Sequence, residues 1–418
     1  MTARRSFATT LALASLVSGC NVTPLGAEDR GAVVDGRPGC PGAALVVLSD
    51  YLSTQVAVVS LSGETLSESL ISTASLEGSP LSFPLSGDVV LPSSRPRSGR
   101  AVLIDRYGTN VLTFVDPESA KVLGQLPVGT GFESNPQDYL ELDDTRALVS
   151  RFGQNPLPGS QPFDAGGDLL VVDTQKPEVL RNIPLAREGE LPPRPGGMTR
   201  VGETAVVSLG RMSFDFKSTS DAAFVGIDAA SETERYRVEL TGLKNCGTLA
   251  LAPGGRLAAT ACSGAIDRTG RLEHLSESGL VLFEVRDDWI VEIARFSAEM
   301  LAGEPIQSGV EFASESALLL KTQTVYGGSR HNRLLAFEWE LGVVTTLSEA
   351  PPDEDGAGRG VTFGGMLCAP GCGDVCLVPD AGRGELQRFS FESGLSQALS
   401  PLRVERTVGL PPRQVGGL

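Results

Sequence analysis

One pattern returns along the chain about every 55 residues. An apolar run ends in an acidic residue at six positions, which lie 54 to 57 residues apart. These positions are Asp116, Asp173, Asp228, Glu284, Glu338 and Glu392. One further step towards the N-terminus reaches Ser60, at the end of the similar run VAVVS. A fixed period of this length marks a repeat architecture, so the chain is predicted to contain seven units.

Each unit contains strand-like runs and turns. An apolar strand leads through a Pro-Gly turn to a second strand, as in residues 249–262 (LALAPGGRLAATAC), and two more strands follow. The 49 glycines and 27 prolines supply many turns and disfavour long helices. Four antiparallel strands repeated seven times predict an all-β fold, the seven-bladed β-propeller. Two stacked β-sandwiches are the alternative, but they do not predict one period from end to end.

The two ends of the chain predict how the ring closes. Residues 410–418 (LPPRQVGGL) echo residues 191–198 (LPPRPGGM), which open the fourth unit as its first strand. The first unit begins near Ala43 and has no clear first strand of its own. We therefore expect the C-terminal strand to pair with the first blade, which would remove an open sheet edge.

Residues 1–19 have the layout of an export signal. Arg4 and Arg5 precede an apolar run that is shorter than the about 20 residues a membrane-spanning helix needs. The ending LVSGC resembles the lipobox of bacterial lipoproteins, and this resemblance implies that Cys20 is lipidated after cleavage. An ordinary secretory peptide that happens to end at a cysteine is the alternative.

The predicted location is the bacterial cell envelope, with the membrane as a partner through the lipid anchor. Asn21 follows Cys20, and in the sorting logic of the lipoprotein family it favours the outer membrane. Residues 20–39 lack periodicity and are predicted to form a flexible tether, which leaves residues 40–418 for the propeller. The formal net charge of −16 disfavours nucleic acid as a partner, since an acidic surface repels phosphate.

The repeat also carries a family resemblance. The turn APGGR at residues 252–256 and the strand ending LTFVD at residues 112–116 resemble those of YVTN-type and lactonase-like seven-bladed propellers. This group occurs in exported bacterial proteins and includes both enzymes and binding modules. The resemblance therefore implies a fold and leaves the function open.

Six cysteines remain besides Cys20, an even number that predicts disulfides in an exported chain. In the hairpin around the turn at residues 253–256, Cys246 and Cys262 are expected to face each other across neighbouring strands. Cys368 and Cys376 flank the equivalent turn of the seventh unit, so the same pairing is expected there.

The remaining pair is predicted to bridge two blades. Cys40 and Cys372 occupy equivalent turns of the first and seventh units, which ring closure makes neighbours. We expect a disulfide between them. A zinc site formed by Cys368, Cys372 and Cys376 is the alternative, which the oxidising compartment and the missing fourth ligand disfavour.

An arginine recurs at the end of the second strand in three consecutive units. The copies are Asp105-Arg106-Tyr107-Gly108, Ser150-Arg151-Phe152-Gly153 and Leu209-Gly210-Arg211-Met212. Loops after the second strands of a propeller surround one mouth of the channel, so the arginines and aromatics predict a rim for a carboxylate, an anionic sugar or a peptide end. In the alternative interpretation, each arginine pairs with an acid of a neighbouring blade, such as Asp50 or Asp105.

The same connection is long in units three to six, and long loops on one face of a rigid scaffold commonly carry function. In the sixth unit it contains Tyr326, Arg330 and His331, which are predicted to line a pocket. No HExxH, GxSxG or Gly-Lys-Ser sequence occurs, so neither a metal site nor a cofactor is predicted. The acidic run at residues 353–356 lacks the later glutamate of a calcium loop.

Two functions of different classes follow from the sequence. The first is a non-enzymatic binding or scaffold lipoprotein that presents its loop-rich face to an envelope protein or a small anionic ligand. The second is a lactonase-like or other hydrolase that uses His331 or His274 with nearby charged residues. Because the chain has two histidines and lacks a repeated set of metal-binding carboxylates, the sequence favours the first.

Overall fold

The computed structural model describes residues 40–76, 81–265, 272, 274–322, 332–350, 362–391, 396–404 and 408–418. Within these residues, 28 strands form seven antiparallel sheets of four strands each. The sheets are the blades of a ring, and the predicted seven-bladed β-propeller is confirmed. The described helical segments are short: α1 (Ala298–Leu301) and 3-10 turns at Thr73–Leu76 and Leu275–Glu277. None of these described helices has the length and apolar character to cross a membrane.

The strands follow the sequence order blade by blade. Blade 1 contains β1 (Ala44–Ser49), β2 (Thr54–Val59) and β3 (Thr65–Ser72); blade 2 contains β4 (Val89–Val90), β5 (Ala101–Asp105), β6 (Val111–Asp116) and β7 (Lys121–Pro127). Blade 3 contains β8 (Pro136–Glu141), β9 (Arg146–Gln154), β10 (Gly166–Asp173) and β11 (Glu178–Pro184); blade 4 contains β12 (Pro195–Val201), β13 (Thr204–Leu209), β14 (Ala222–Asp228) and β15 (Glu234–Leu240).

Blade 5 contains β16 (Ala250–Leu251), β17 (Leu257–Ser263), β18 (Ser278–Arg286) and β19 (Trp289–Ser297); blade 6 contains β20 (Ile306–Phe312), β21 (Ala317–Thr322), β22 (Arg333–Glu338) and β23 (Val343–Glu349). Blade 7 contains β24 (Leu367–Ala369), β25 (Val375–Asp380), β26 (Glu385–Ser390) and β27 (Gln397–Leu402). The last strand, β28 (Pro412–Gly417), is the inner strand of blade 1.

The core lies between the blades. The second strand of a blade is apolar on both of its faces, and every residue of β5 (AVLID) is buried. The outermost strands are half exposed, as the alternation along β7 shows. Buried side chains of neighbouring blades interlock in a separate cluster at each seam that the structure describes. Burial of these β-branched and leucine side chains drives the blades together.

The C-terminal strand closes the ring as predicted. β28 pairs antiparallel with β1, and Val46 lies opposite Val415. The side chain of Gln414 accepts a hydrogen bond from the backbone N–H of Leu91 (2.9 Å) and donates one to its carbonyl (3.1 Å), which ties the same strand to blade 2. Gly365 of blade 7 bridges to Gln414 from the other side. A single strand therefore links blades 7, 1 and 2.

All three predicted disulfides are present: Cys40–Cys372, Cys246–Cys262 and Cys368–Cys376. The first joins residues 332 positions apart and staples blade 7 to the start of blade 1. Because Cys368, Cys372 and Cys376 are all oxidised, the alternative zinc site is wrong.

Candidate functional site

The antiparallel strands divide the connections between two faces. The loop face carries the connections from second to third strands and those from one blade to the next. The hairpin face carries the remaining turns and the Cys40–Cys372 disulfide. Loops on one face of a rigid ring can converge on a ligand, so exposed apolar and charged side chains on the loop face are candidates for binding.

Exposed apolar side chains cluster on the loop face of blades 1 to 4. They all come from connections between second and third strands, and between 47 and 85% of each residue is exposed. We call this set the aromatic crescent: Tyr51, Leu52, Tyr107, Leu157, Phe214 and Phe216. In blade 7, the equivalent connection at residues 381–384 (AGRG) carries no large apolar side chain. Large apolar side chains grouped on a soluble surface mark contact sites for other molecules.

The first predicted rim arginine supports the loop that carries Tyr107. Arg106 forms an ion pair with Asp88 at 2.5 Å, and both side chains are somewhat more than one quarter exposed. Glu133, from the connection into blade 3, accepts hydrogen bonds from the backbone N–H of Gly108 (3.1 Å) and from Asn110 (2.6 Å). Tyr107 itself is 70% exposed. Its loop is thus held from both sides while its ring faces solvent.

The second rim arginine lies beneath the surface. Arg151 is 0% exposed and forms a bidentate ion pair with Asp168, with both nitrogen–oxygen distances at 2.8 Å. Its Nη1 donates to the Thr130 hydroxyl (2.6 Å), and the Nη2 that binds Asp168 also donates to the Phe163 carbonyl (2.6 Å). Arg151 therefore joins two loop-face connections of blade 3, one of which carries Leu157. Phe152 is half-buried beside it, and its ring stacks on Phe216 with centroids 6.2 Å apart.

The third rim arginine is also neutralised. Arg211 binds both carboxylate oxygens of Glu239, at 2.5 and 2.7 Å, and lies 3.5 Å from Glu190. All three arginines thus pair with acids, but these acids belong to the arginine's own blade or to the connection that leads into it. The expected pairing with an acid of a neighbouring blade, such as Asp50 or Asp105, is therefore wrong. Asp105 accepts two hydrogen bonds from Ser86, and Asp50 caps its own turn.

Several predicted residues lie outside the described part of the chain. These are Cys20, Tyr326, Arg330, His331 and the acidic run at residues 353–356. His274 is described, and its side chain is exposed beside the 3-10 turn of blade 5. Among the described residues, no group of three or more His, Cys, Asp or Glu side chains could hold a metal ion.

The central channel is crossed by a segment of blade 2. β4 ends at Val90, and the chain then leaves its sheet at residues 91–100 (LPSSRPRSGR), where two prolines cannot donate to a ladder. The Ser93 hydroxyl lies 3.1 Å from that of Thr248 in blade 5, and the Ser94 hydroxyl lies 3.5 Å from the Met198 carbonyl in blade 4. Arg95 donates to the Cys40 carbonyl (3.0 Å). We call residues 92–95 the channel strap.

A buried carboxylate fixes the channel strap. Asp138 of β8 accepts hydrogen bonds from the backbone N–H groups of Ser93 (2.8 Å) and Met198 (2.6 Å). One side chain of blade 3 thereby joins blades 2 and 4. Burial raises the pKa of Asp138 to about 6, even though these N–H donors favour its ionised form. Sequence reasoning missed this group because a lone aspartate in a strand predicts no particular partner.

The channel strap makes a direct prediction. The double variant Ser93→Cys, Thr248→Cys is expected to form a fourth disulfide on oxidation, since the two hydroxyl oxygens lie 3.1 Å apart. The measurement is electrophoretic mobility without reductant together with intact mass. Each single variant is the control and should keep one thiol besides Cys20 that reacts with maleimide after unfolding. Two reactive thiols besides Cys20 in the oxidised double variant would contradict the position of the strap.

A lysine and a glutamate of blade 6 lie near its seam with blade 7. Lys321 of β21 donates to the carbonyl of Gly364 at 2.5 Å, which links the two blades. Glu311 of β20 lies opposite Leu319 in the sheet, and its side chain forms no hydrogen bond within the described residues. Burial raises the pKa of Glu311 to about 8 and lowers that of Lys321 to about 8. Lys321 is buried and we assign it a role in joining blades, whereas Glu311 is partly exposed.

A cleft of about 830 Å³ lies beside blade 7 and shares no residue with the aromatic crescent. Its walls include Arg383, Leu402 and Leu410. Arg383 is already neutralised by Asp380 at 2.6 Å and donates to a backbone carbonyl. We therefore centre the candidate site on the crescent.

Comparison with known proteins bears on the fold. No protein-family model matches the chain, and no curated protein matches it. A putative 6-phosphogluconolactonase from Bacteroides fragilis superimposes with a TM-score of 0.54 at 12% identity, over 90% of this chain and 97% of that one. The likeness is one of fold. A protein from Lactobacillus plantarum gives 0.54 at 10% identity, over 89% of this chain and 98% of that one.

A functionally unknown protein from Desulfotomaculum acetoxidans is similar in the same way. Its TM-score is 0.51 at 12% identity, over 90% of this chain and 98% of that one. The match across nearly the full length of these structures agrees with a single closed ring. At such low identity, side chains of these proteins cannot be carried over to the crescent.

Proposed function

We propose that the chain is an envelope-anchored, non-enzymatic binding module whose loop face docks a protein partner through the aromatic crescent. The observation that carries this proposal is the convergence of six exposed apolar side chains from four consecutive blades on one face. Tyrosine and phenylalanine are enriched in protein interfaces because they bury a large area with little loss of rotamer freedom.

The polar contacts beneath the crescent support the same proposal. Arg106 and Glu133 hold the loop of Tyr107, and Arg151 holds the loop of Leu157. Loops that are ordered before binding lose less entropy when a partner docks, and this favours affinity. The three rim arginines already bind carboxylates, so they are not free to hold a small anionic ligand.

The anchor proposal fits this geometry. If Cys20 is lipidated, 20 residues join the membrane to Cys40, which can span at most about 70 Å. Cys40 lies on the hairpin face, where it is bonded to Cys372. The tether would then join the ring on the face opposite the crescent, so the attachment point leaves the crescent uncovered. Three disulfides suit the oxidising compartment of such a protein.

Site-specific photo-crosslinking in the native host tests the docking proposal. Benzoylphenylalanine in place of Tyr107 or Phe214 is expected to give a discrete adduct with one protein. Leu341 is the matched control, since it is 71% exposed on the hairpin face and Tyr107 is 70% exposed on the loop face. We expect at least a tenfold higher adduct yield at positions 107 and 214 than at position 341.

Two results would overturn the docking proposal. One is the absence of adducts at positions 107 and 214, and the other is an equal yield at position 341. Turnover of a lactone by the purified chain, abolished by His331→Ala, would instead support the hydrolase alternative.

A further inference from the structure

We propose that Arg194 and Arg413 are equivalent positioning residues that hold Phe216 in blade 4 and Tyr51 in blade 1, which we call the aromatic tips of the crescent. This inference rests on the proposed docking function. Both arginines end the sequence LPPR, at residues 191–194 and 410–413, and both lie where an inner strand begins: Arg194 directly precedes β12, and Arg413 is the second residue of β28. The sequence repeat thus places one arginine at the same point of each blade.

In blade 4, the guanidinium group of Arg194 binds three backbone carbonyls. It donates to the carbonyl oxygens of Phe152 (3.0 Å), Met212 (3.3 Å) and Ser213 (3.2 Å). Arg194 is 4% exposed, and burial lowers its pKa. None of its described contacts is an ion pair with a carboxylate. The planar guanidinium group carries five N–H donors and can bind several carbonyls at once, whereas the ammonium group of a lysine cannot match this geometry.

The same group supports aromatic rings. The central carbon of the Arg194 guanidinium lies 4.7 Å from the centroid of Phe216, 5.3 Å from Phe152 and 5.8 Å from Phe214. These distances are within the range of cation–π attraction, which grows when the cation is shielded from water. Phe214 and Phe216 therefore pack against Arg194 with their inner sides, and their outer sides remain exposed to solvent.

Blade 1 repeats this arrangement with a tyrosine. Arg413 donates from Nε to the carbonyl of Ser49 (3.0 Å), at the end of the second strand of blade 1. Its guanidinium carbon lies 4.8 Å from the ring centroid of Tyr51. The arginine of each LPPR sequence thus binds backbone near the end of the second strand and supports the aromatic residue that follows.

The backbone of the two aromatic tips is unusual in the same way. Tyr51 has a φ of 68° and Phe216 has a φ of 59°, in the left-handed region that residues with side chains rarely adopt. Such conformations persist where surrounding contacts hold them, and they are frequent at binding sites. We infer that each arginine offsets this strain and so fixes the direction of its aromatic ring.

The positions of the two tips define the kind of partner that fits. Blades 2 and 3 lie between them and add Tyr107 and Leu157 to the same face. A ligand that touches both tips must span four blades. This favours a folded protein with an extended apolar surface over a small molecule or a short peptide.

The test uses a readout that needs no partner. In Arg194→Met, the loop at residues 210–221 is expected to lose its support, so chymotrypsin should cut after Phe214 or Phe216 at least tenfold faster than in the unaltered chain. Arg194→Lys keeps the positive charge but loses the planar guanidinium group, so it should restore only part of the resistance to chymotrypsin. Mass spectrometry locates the cuts, and thermal melting reports whether the ring remains folded.

Arg211→Met is the matched control. Arg211 is a mostly buried arginine of the same loop, but it binds Glu239 and supports no ring among the described contacts. Its loss should leave chymotrypsin cleavage within about twofold of the unaltered chain. Equal cleavage in the Arg194→Met and Arg211→Met variants, or no acceleration in Arg194→Met, would overturn the positioning role. Failure of the docking proposal would show separately, as missing photo-adducts in the unaltered loop.

Discussion

A chain that ends at Pro411 is expected to lose its cooperative thermal transition. The deletion removes β28, whose five register pairs complete blade 1 and whose Gln414 joins blade 2. At about 1 kcal/mol for each lost backbone hydrogen bond, the cost is roughly 5 kcal/mol before the burial of Val415 is counted. Total stabilities of folded domains are about 5–15 kcal/mol, so most of the stability should disappear. Circular dichroism during heating measures the effect.

A synthetic peptide of residues 410–418 provides the control for the truncation. If the missing strand is the cause, the peptide should restore a cooperative transition at high concentration, because it binds only the folded ring. A peptide with Val415→Asp should not, since Val415 is buried between blades 7 and 1. A truncated chain that melts at the temperature of the full chain would contradict closure by β28.

The second large effect is expected for Arg151→Met. This change leaves Asp168 as a buried carboxylate without its cation, because Arg151 is fully buried and binds both oxygens of Asp168. Breaking one side of a buried ion pair commonly costs about 3–5 kcal/mol. The free energy of unfolding in urea should fall by about that amount.

Arg106→Met is the matched control for this prediction. The Arg106–Asp88 pair is partly exposed, and exposed pairs contribute about 0–1 kcal/mol. The double variant Arg151→Met, Asp168→Leu should recover stability, since it removes the unpaired charge together with its partner. Equal losses of unfolding free energy in Arg151→Met and Arg106→Met would show that burial of the ion pair does not determine how much stability is lost.

The architecture could be predicted because its signals are local and repeated. An acidic residue ends the third strand in blades 2, 3, 4 and 6, at a nearly constant period, and the LPPR sequence marks an inner strand in two blades. Once the ring was inferred, the neighbourhood of blades 1 and 7 predicted the Cys40–Cys372 disulfide, which is present. Pairings that follow from the order of strands are thus accessible from sequence.

The details of the site depend on contacts that the order of strands does not specify. The path of the channel strap is set by Asp138 and Thr248, from two other blades. The supporting role of Arg194 depends on the left-handed backbone of Phe216, which no local sequence signal indicated. The partner of Arg151 was within reach, however, because Asp168 lies directly opposite it in the β9–β10 register.

The way in which the ring closes also sets an order of assembly. Blades 2 to 7 are contiguous in sequence, so their strands can pair as soon as each unit has been synthesised. Blade 1 must wait for the last residues of the chain, since its inner strand is β28. The Cys40–Cys372 bond has the same requirement, because its cysteines meet only when the first and last blades are side by side. In a newly made molecule, this bond would therefore report that the whole ring has been completed.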